Sequence, residues 1–160
     1  MNGKSMLSLK ELVNRLQQAS KDLKKALGDR FVGLMLFGSY ARGEASKESD
    51  VDVLVVLHGL KGFKARSEIY SILAEQVKKP ITLIDVELEE VSKKDLEVTP
   101  LLINILYDGL IIYDELGILR KLKDNVFKLV KKAQLVRYRT PNGKYGWKRA
   151  NEKPLEVVET

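Results

Sequence analysis

Cysteine is absent from the 160 residues. That excludes a disulfide scaffold and any thiolate metal site, and it fits a reducing compartment. Histidine is nearly absent as well. His58 stands alone, which excludes a multi-histidine metal cluster. No apolar run approaches the roughly 18 residues needed to span a bilayer. The opening stretch MNGKSMLSLKELVNRL turns amphipathic at once and lacks the apolar core of a signal peptide. Internal repeats, low-complexity tracts and Gly/Pro/Ser-rich linkers are missing too. These absences together predict a soluble cytoplasmic protein with no membrane partner.

What is present suits one compact domain. The length falls in the usual single-domain range, and 44% apolar residues suffice for a real core. The charge is uneven. Residues 120–149 hold 11 Lys/Arg and one acid, Asp124, a local balance of +10 within a total of +6. Such a quarter suits an acidic partner, whether nucleic acid, an acidic protein face or nucleotide phosphates. It equally suits a solvated lysine-rich surface.

Ser8-Leu9-Lys10-Glu11 reads as a capping box, and apolar residues then recur at helical spacing to Leu27, with Gly28 as the stop. Phe31–Phe37 and Val51–Leu57 read as buried strands. Lys64–Lys79 reads as a second amphipathic helix ended by Pro80, and Ile81–Val86 as a third strand. Pro100 opens a brief apolar helix, and Leu110–Tyr113 follows as a short strand. Asp114 then caps a long helix reaching about Val136. Finally, VRYRT and YGWKR flank an Asn142-Gly143 turn as a hairpin. The order predicts an α/β (α+β) domain, with a small mixed β-sheet flanked by helices and a C-terminal long helix and β-hairpin.

The stretch FGSYARGEASKESDVDVLVV, residues 37–56, carries the chemistry. In a strand, residues two apart share a face, so Asp50 and Asp52 project side by side. Two close carboxylates repel, and burial raises the energy of their charge, so folding alone gains nothing from the pair. A divalent cation turns the pair into an asset, because Mg²⁺ takes carboxylates plus substrate phosphates. An isolated D-x-D also suits a turn cap and an exposed strand end. Here Gly38-Ser39 ends the preceding strand, and Tyr40-Ala41-Arg42-Gly43 can open a helical turn. Glycine admits a phosphate close to the backbone, and free N–H groups at a helix start bind anions. A phosphate cradle beside a carboxylate pair suits phosphoryl or nucleotidyl transfer.

The pattern GSYARGEASKESDVDV resembles the signature of the DNA polymerase β-like nucleotidyltransferase superfamily, Gly-Ser followed after ten residues by Asp-x-Asp. The short chain is most similar to the minimal nucleotidyltransferases. The resemblance implies the nucleotidyltransferase fold, with a core over residues 1–113. Residues 114–160 would form a C-terminal helix and basic hairpin packed on that core within a single domain. Gly38 and Ser39 would hold the phosphates of a nucleoside triphosphate, with Arg42 as a further phosphate contact or a surface ion pair with Glu44 or Glu48. Asp50 and Asp52 would coordinate two Mg²⁺ ions. The reaction implied is transfer of a nucleoside monophosphate from an NTP, ATP above all, to a hydroxyl acceptor. A HEPN-type protein is the partner implied, with the chain as antitoxin, and a homodimer is a further way to complete the acceptor surface.

Active members of the superfamily usually carry a third carboxylate on a later strand, a catalytic and metal-binding position that we assign to Asp85. The register of many relatives puts Thr82 there instead, and alternation sets Asp85 and Glu87 on the opposite face unless a bulge intervenes. If no third acid reaches the site, the chain becomes a nucleotide-binding or protein-interaction module of weak activity. A third reading uses the basic quarter for nucleic acid. His58 reads as structural. Tyr145 and Trp147 read as packing residues, or, with Arg137, Arg139 and Lys148, as a grip on an acidic acceptor.

Overall fold

The computed structural model describes residues 6–150 and, as backbone, residues 158–159. Helix α1 (Leu9–Leu27) begins where the Ser8 hydroxyl accepts from the Glu11 N–H at 3.1 Å, the cap foreseen in the sequence. It buries Leu12, Leu16, Ala19 and Leu23. A 3₁₀ turn (Gly28–Arg30) leads into strand β1 (Phe31–Phe37), buried along its whole length. Helix α2 (Gly38–Arg42) is short and is followed by β2 (Val51–Leu57). Helix α3 (Phe63–Val77) stops two residues before the predicted end, because Lys78 adopts a left-handed conformation (φ 57°). Strand β3 (Ile81–Glu87), α4 (Leu88–Val91) and the two-residue β4 (Glu97–Val98) follow.

Helix α5 (Pro100–Asp108) starts on a Thr99 cap, and β5 (Leu110–Asp114) runs into α6 (Ile118–Lys132). Gly117, not Asp114, is the N-cap of α6, but the Asp114 carboxylate at the end of β5 still accepts from the N–H groups of Leu119 and Arg120 at 3.1 and 2.9 Å. The helix ends short of the expected Val136. Gln134 turns left-handed (φ 53°), and buried Leu135 already opens β6 (Leu135–Arg139), which pairs with β7 (Tyr145–Arg149). Strand β8 (Val158–Glu159) pairs with β4, a ladder too short to read from sequence.

The main sheet has the order β3-β2-β1-β5, with β2 parallel to β3 and the other neighbours antiparallel. One face carries α1 and α3 over Leu34, Leu36, Val53 and Val55. The other carries α5, α6 and the hairpin over Met35, Phe37, Leu54 and Val56. Burial on both faces explains why β1 and β2 read as continuous apolar runs rather than alternating ones. Against that background, a carboxylate at the start of β2 needs a separate reason.

Candidate functional site

The topology gathers four strand ends at one edge of the sheet. Strands β1 and β2 are antiparallel, with Phe37 opposite Asp52, so the end of β1 lies beside the start of β2. Strand β3 is parallel to β2, with Thr82 opposite Asp52. Strand β5 begins with Leu110 opposite Leu36, which brings the end of α5 to the same side.

At this meeting point Gly38 has φ +77°, and a Cβ there would lie 2.0 Å from Asp52 Oδ2. Only glycine admits this approach of the backbone to the carboxylate. Ser39 follows in the first turn of α2, where backbone N–H groups lack partners within the helix. Asp50 is exposed and Asp52 half-buried. Burial pushes the Asp52 carboxyl above its ordinary pKa, and the neighbouring Asp50 charge adds to the rise. A hydrogen bond with Thr82 and the Arg42 charge pull the other way. The Thr82 hydroxyl also donates to Asp50 Oδ2 at 3.4 Å. Among the described residues neither carboxylate forms a salt bridge. Two crowded carboxylates without a cation fit a hard divalent ion that binds oxygen. The described residues hold no cluster of three or more acidic or histidine side chains placed around a metal position.

Asp85 lies elsewhere. The β2–β3 ladder runs in unbroken register from Val51 opposite Ile81 to Leu57 opposite Glu87, with no bulge. Thr82 therefore shares the face of Asp52, while Asp85, opposite Val55, shares the face packed by α1 and α3. Its carboxylate pairs with Arg66 of α3. Glu87, the other candidate, accepts from the Gly59 N–H at 2.6 Å. The structure thus brings Gly38, Ser39, Asp50, Asp52 and Thr82 together and leaves Asp85 outside the group. His58 is exposed, beyond the opposite end of β2.

Arg42 has two partners. Its Nε donates to Glu44 at 3.0 Å, and a terminal nitrogen reaches Asp108 at 3.5 Å. The first is an ion pair foreseen from sequence. The second is not, because Asp108 sits 66 positions away at the end of α5 and nothing local marks it. Trp147 is buried, with its Nε1 donating to Asn104 at 2.8 Å, so it packs the hairpin. Part of the basic quarter is likewise architectural. Lys123 donates to the carbonyls of Leu106 and Gly109 at 2.8 and 2.7 Å, and burial lowers its pKa.

A groove of about 720 Å³ between α6, α5 and residues 91–98 lies apart from this site and includes none of its residues. A smaller hollow of about 390 Å³, lined by Phe63, Arg66, Tyr70 and Ile81 among others, reaches Thr82.

A nucleotidyltransferase-domain family model matches residues 16–136. A candidate protein adenylyltransferase of Methanocaldococcus jannaschii is 32% identical over 130 residues, covering 77% of this chain and 86% of the relative. Another from the same organism is 37% identical over 62 residues, covering 39% of this chain and 63% of the relative. The protein adenylyltransferase MntA of Thermococcus cleftensis is 47% identical over 51 residues, covering 32% of this chain and half of the relative. Two crystal structures share the fold at 17% and 18% identity, with TM-scores of 0.51 and 0.50. Both alignments cover 74% of this chain and 89% of the other. One is a mutant of the toxin–antitoxin pair MntA–HpeT, and the other is a toxin–antitoxin with AMP-PNP.

Proposed function

The chain belongs to the nucleotidyltransferase-domain family, and from that premise we propose that it moves the nucleoside monophosphate of ATP onto a hydroxyl of a protein acceptor. One observation carries the reading. Asp50 and Asp52 stand side by side without a salt bridge, against a glycine that a single methyl group would drive into Asp52. The protein relatives named as adenylyltransferases support the ATP and protein-acceptor parts. The toxin–antitoxin neighbours accord with the HEPN-type partner that the family resemblance implies, with this chain as the antitoxin that modifies it. A cytoplasmic setting accords with an ATP-dependent reaction, and no helix among the described residues is long and apolar enough to cross a membrane.

In this reading the backbone at Gly38 and Ser39 binds the triphosphate, and Arg42 adds positive charge beside it. Asp50 and Asp52 hold Mg²⁺, two ions by the family resemblance, with nucleotide phosphates completing the coordination. The chemistry that Mg²⁺ supplies when bound is neutralisation of phosphate charge and a lowered pKa for the acceptor hydroxyl. Thr82 orients the Asp50 carboxylate through its hydroxyl. The helix and hairpin between residues 118 and 149 extend the core, and residues 151–157 of the expected extension lie outside the described residues.

Thr82, standing where a third acid would face the pair, favours a second reading: a nucleotide-binding module that transfers slowly. The two separate on incubation with α-labelled ATP, Mg²⁺ and a HEPN-type protein. Label on the polypeptide with release of pyrophosphate supports transfer. Bound nucleotide without label supports the module, and Thr82→Asp should then create or raise transfer.

A further inference from the structure

The hairpin is joined to the phosphate end of the site by a connected set of charged and aromatic groups. Asp108, its side chain 9% exposed, receives two nitrogens of Arg137 at 2.8 and 2.5 Å and one of Arg42 at 3.5 Å. Arg42 also donates to one oxygen of Glu44 at 3.0 Å, and the other oxygen of that carboxylate accepts from the Tyr145 hydroxyl at 2.8 Å. The Tyr145 ring lies against both guanidiniums, 4.7 Å from that of Arg42 and 4.2 Å from that of Arg137. Arg42 is therefore held from two sides, by Glu44 and by Asp108, and each of those carboxylates is itself held by a hairpin residue.

The arrangement exceeds what docking the hairpin requires. Trp147 is 2% exposed and bonded to Asn104, the Asn104 amide donates to the Tyr145 carbonyl, and Arg137 grips Asp108. The Tyr145 hydroxyl makes its bond to Glu44 alone among the described residues, and Glu44 in turn bonds Arg42. An arginine side chain carries large rotamer entropy, and fixing it before the ligand arrives removes that loss from binding. The guanidinium is also close enough to Asp52 to favour its charged form.

We propose that Tyr145 is a positioning residue for the nucleotide. Its hydroxyl fixes Glu44, Glu44 fixes Arg42 beside Asp52, and the C-terminal hairpin so sets affinity for the triphosphate without touching it. The inference rests on the nucleotide reading of the site.

The test is a double-mutant cycle on Mg²⁺–ATP affinity by calorimetry, with wild type, Tyr145→Phe, Arg42→Gln and the double variant, each with its Tm. Phenylalanine keeps the ring over both guanidiniums, so the fold is retained. Tyr145→Phe should weaken binding about 3–10-fold, the net worth of one ordinary hydrogen bond, with little change in Tm. In the Arg42→Gln background the same change should have no effect, since nothing remains to be positioned. Wild-type affinity in Tyr145→Phe would overturn the proposal. So would an equal loss in both backgrounds, because the hydroxyl would then act by another route. A wild type that binds no Mg²⁺–ATP would overturn the nucleotide reading itself and this inference with it.

Discussion

Asp50 and Asp52 at the start of β2, and Asp85 and Glu87 on β3, are two acid-x-acid pairs at neighbouring parallel strands. In sequence they look alike. In the fold they have opposite surroundings. Asp85 has the Arg66 guanidinium; one oxygen of Glu87 has the Gly59 N–H, while its other oxygen is buried without a hydrogen-bond partner. Asp50 and Asp52 have each other, one threonine hydroxyl and the nearby Arg42 charge without a salt bridge, and burial with mutual repulsion still raises the Asp52 pKa. A carboxylate that the chain pairs with its own cation, as Arg66 pairs Asp85, is part of the architecture. A carboxylate pair that the chain leaves unsatisfied is a place for a cation to act.

The sharpest way to break that contrast is to neutralise the β2 pair. Asp50→Asn/Asp52→Asn should lower nucleotidyl transfer at least ~100-fold, because a bound cation supplies several kcal/mol of transition-state stabilisation. Label transfer from α-labelled ATP measures it, and retained activity would dissolve the distinction between the two pairs. Gly38→Ala comes next. The positive φ and the 2.0 Å approach to Asp52 should together cost about 1–3 kcal/mol, seen as a Tm several degrees lower, with nucleotide binding lost as Asp52 is displaced.

Smaller effects sharpen the contrast. The Asp52 pKa is raised in the folded state, so folding favours its protonated form. Its contribution to stability is fullest below the unfolded pKa and is lost as pH rises through the folded one. In EDTA, Asp52→Asn should therefore raise Tm at pH 7 more than at pH 4. Added Mg²⁺ should stabilise the wild type and not the variant. Melting curves under these conditions decide it. Asp85→Asn is expected to do least. It removes a partly exposed ion pair worth about 0.5 kcal/mol and should leave transfer within about twofold of wild type. A large loss of transfer with an intact fold would return Asp85 to the site.

Much of this was legible in the sequence, for reasons that can be located. The runs Phe31–Phe37 and Val51–Leu57 are apolar because both faces of the sheet are covered, and the Gly-Ser and Asp-x-Asp elements mark the ends of those strands. Period-2 alternation already set Asp85 and Thr82 on opposite faces. What alternation could not exclude was a bulge, and the regular β2–β3 ladder has none. The helix ends shifted for a local reason, left-handed Lys78 and Gln134, which non-glycine residues rarely signal in advance. Of the network around Arg42, only the ion pair with Glu44 was legible. Asp108 and Tyr145 lie 66 and 101 positions from their partners, and their roles exist only once the hairpin has packed on α5.

In the proposed function, Asp50 and Asp52 bind nucleotide through a divalent cation. The direct measurement is calorimetric titration of ATP into wild type and Asp52→Asn, each with Mg²⁺ and with EDTA. Binding is expected only for the wild type with Mg²⁺. Binding that survives both EDTA and Asp52→Asn would contradict it.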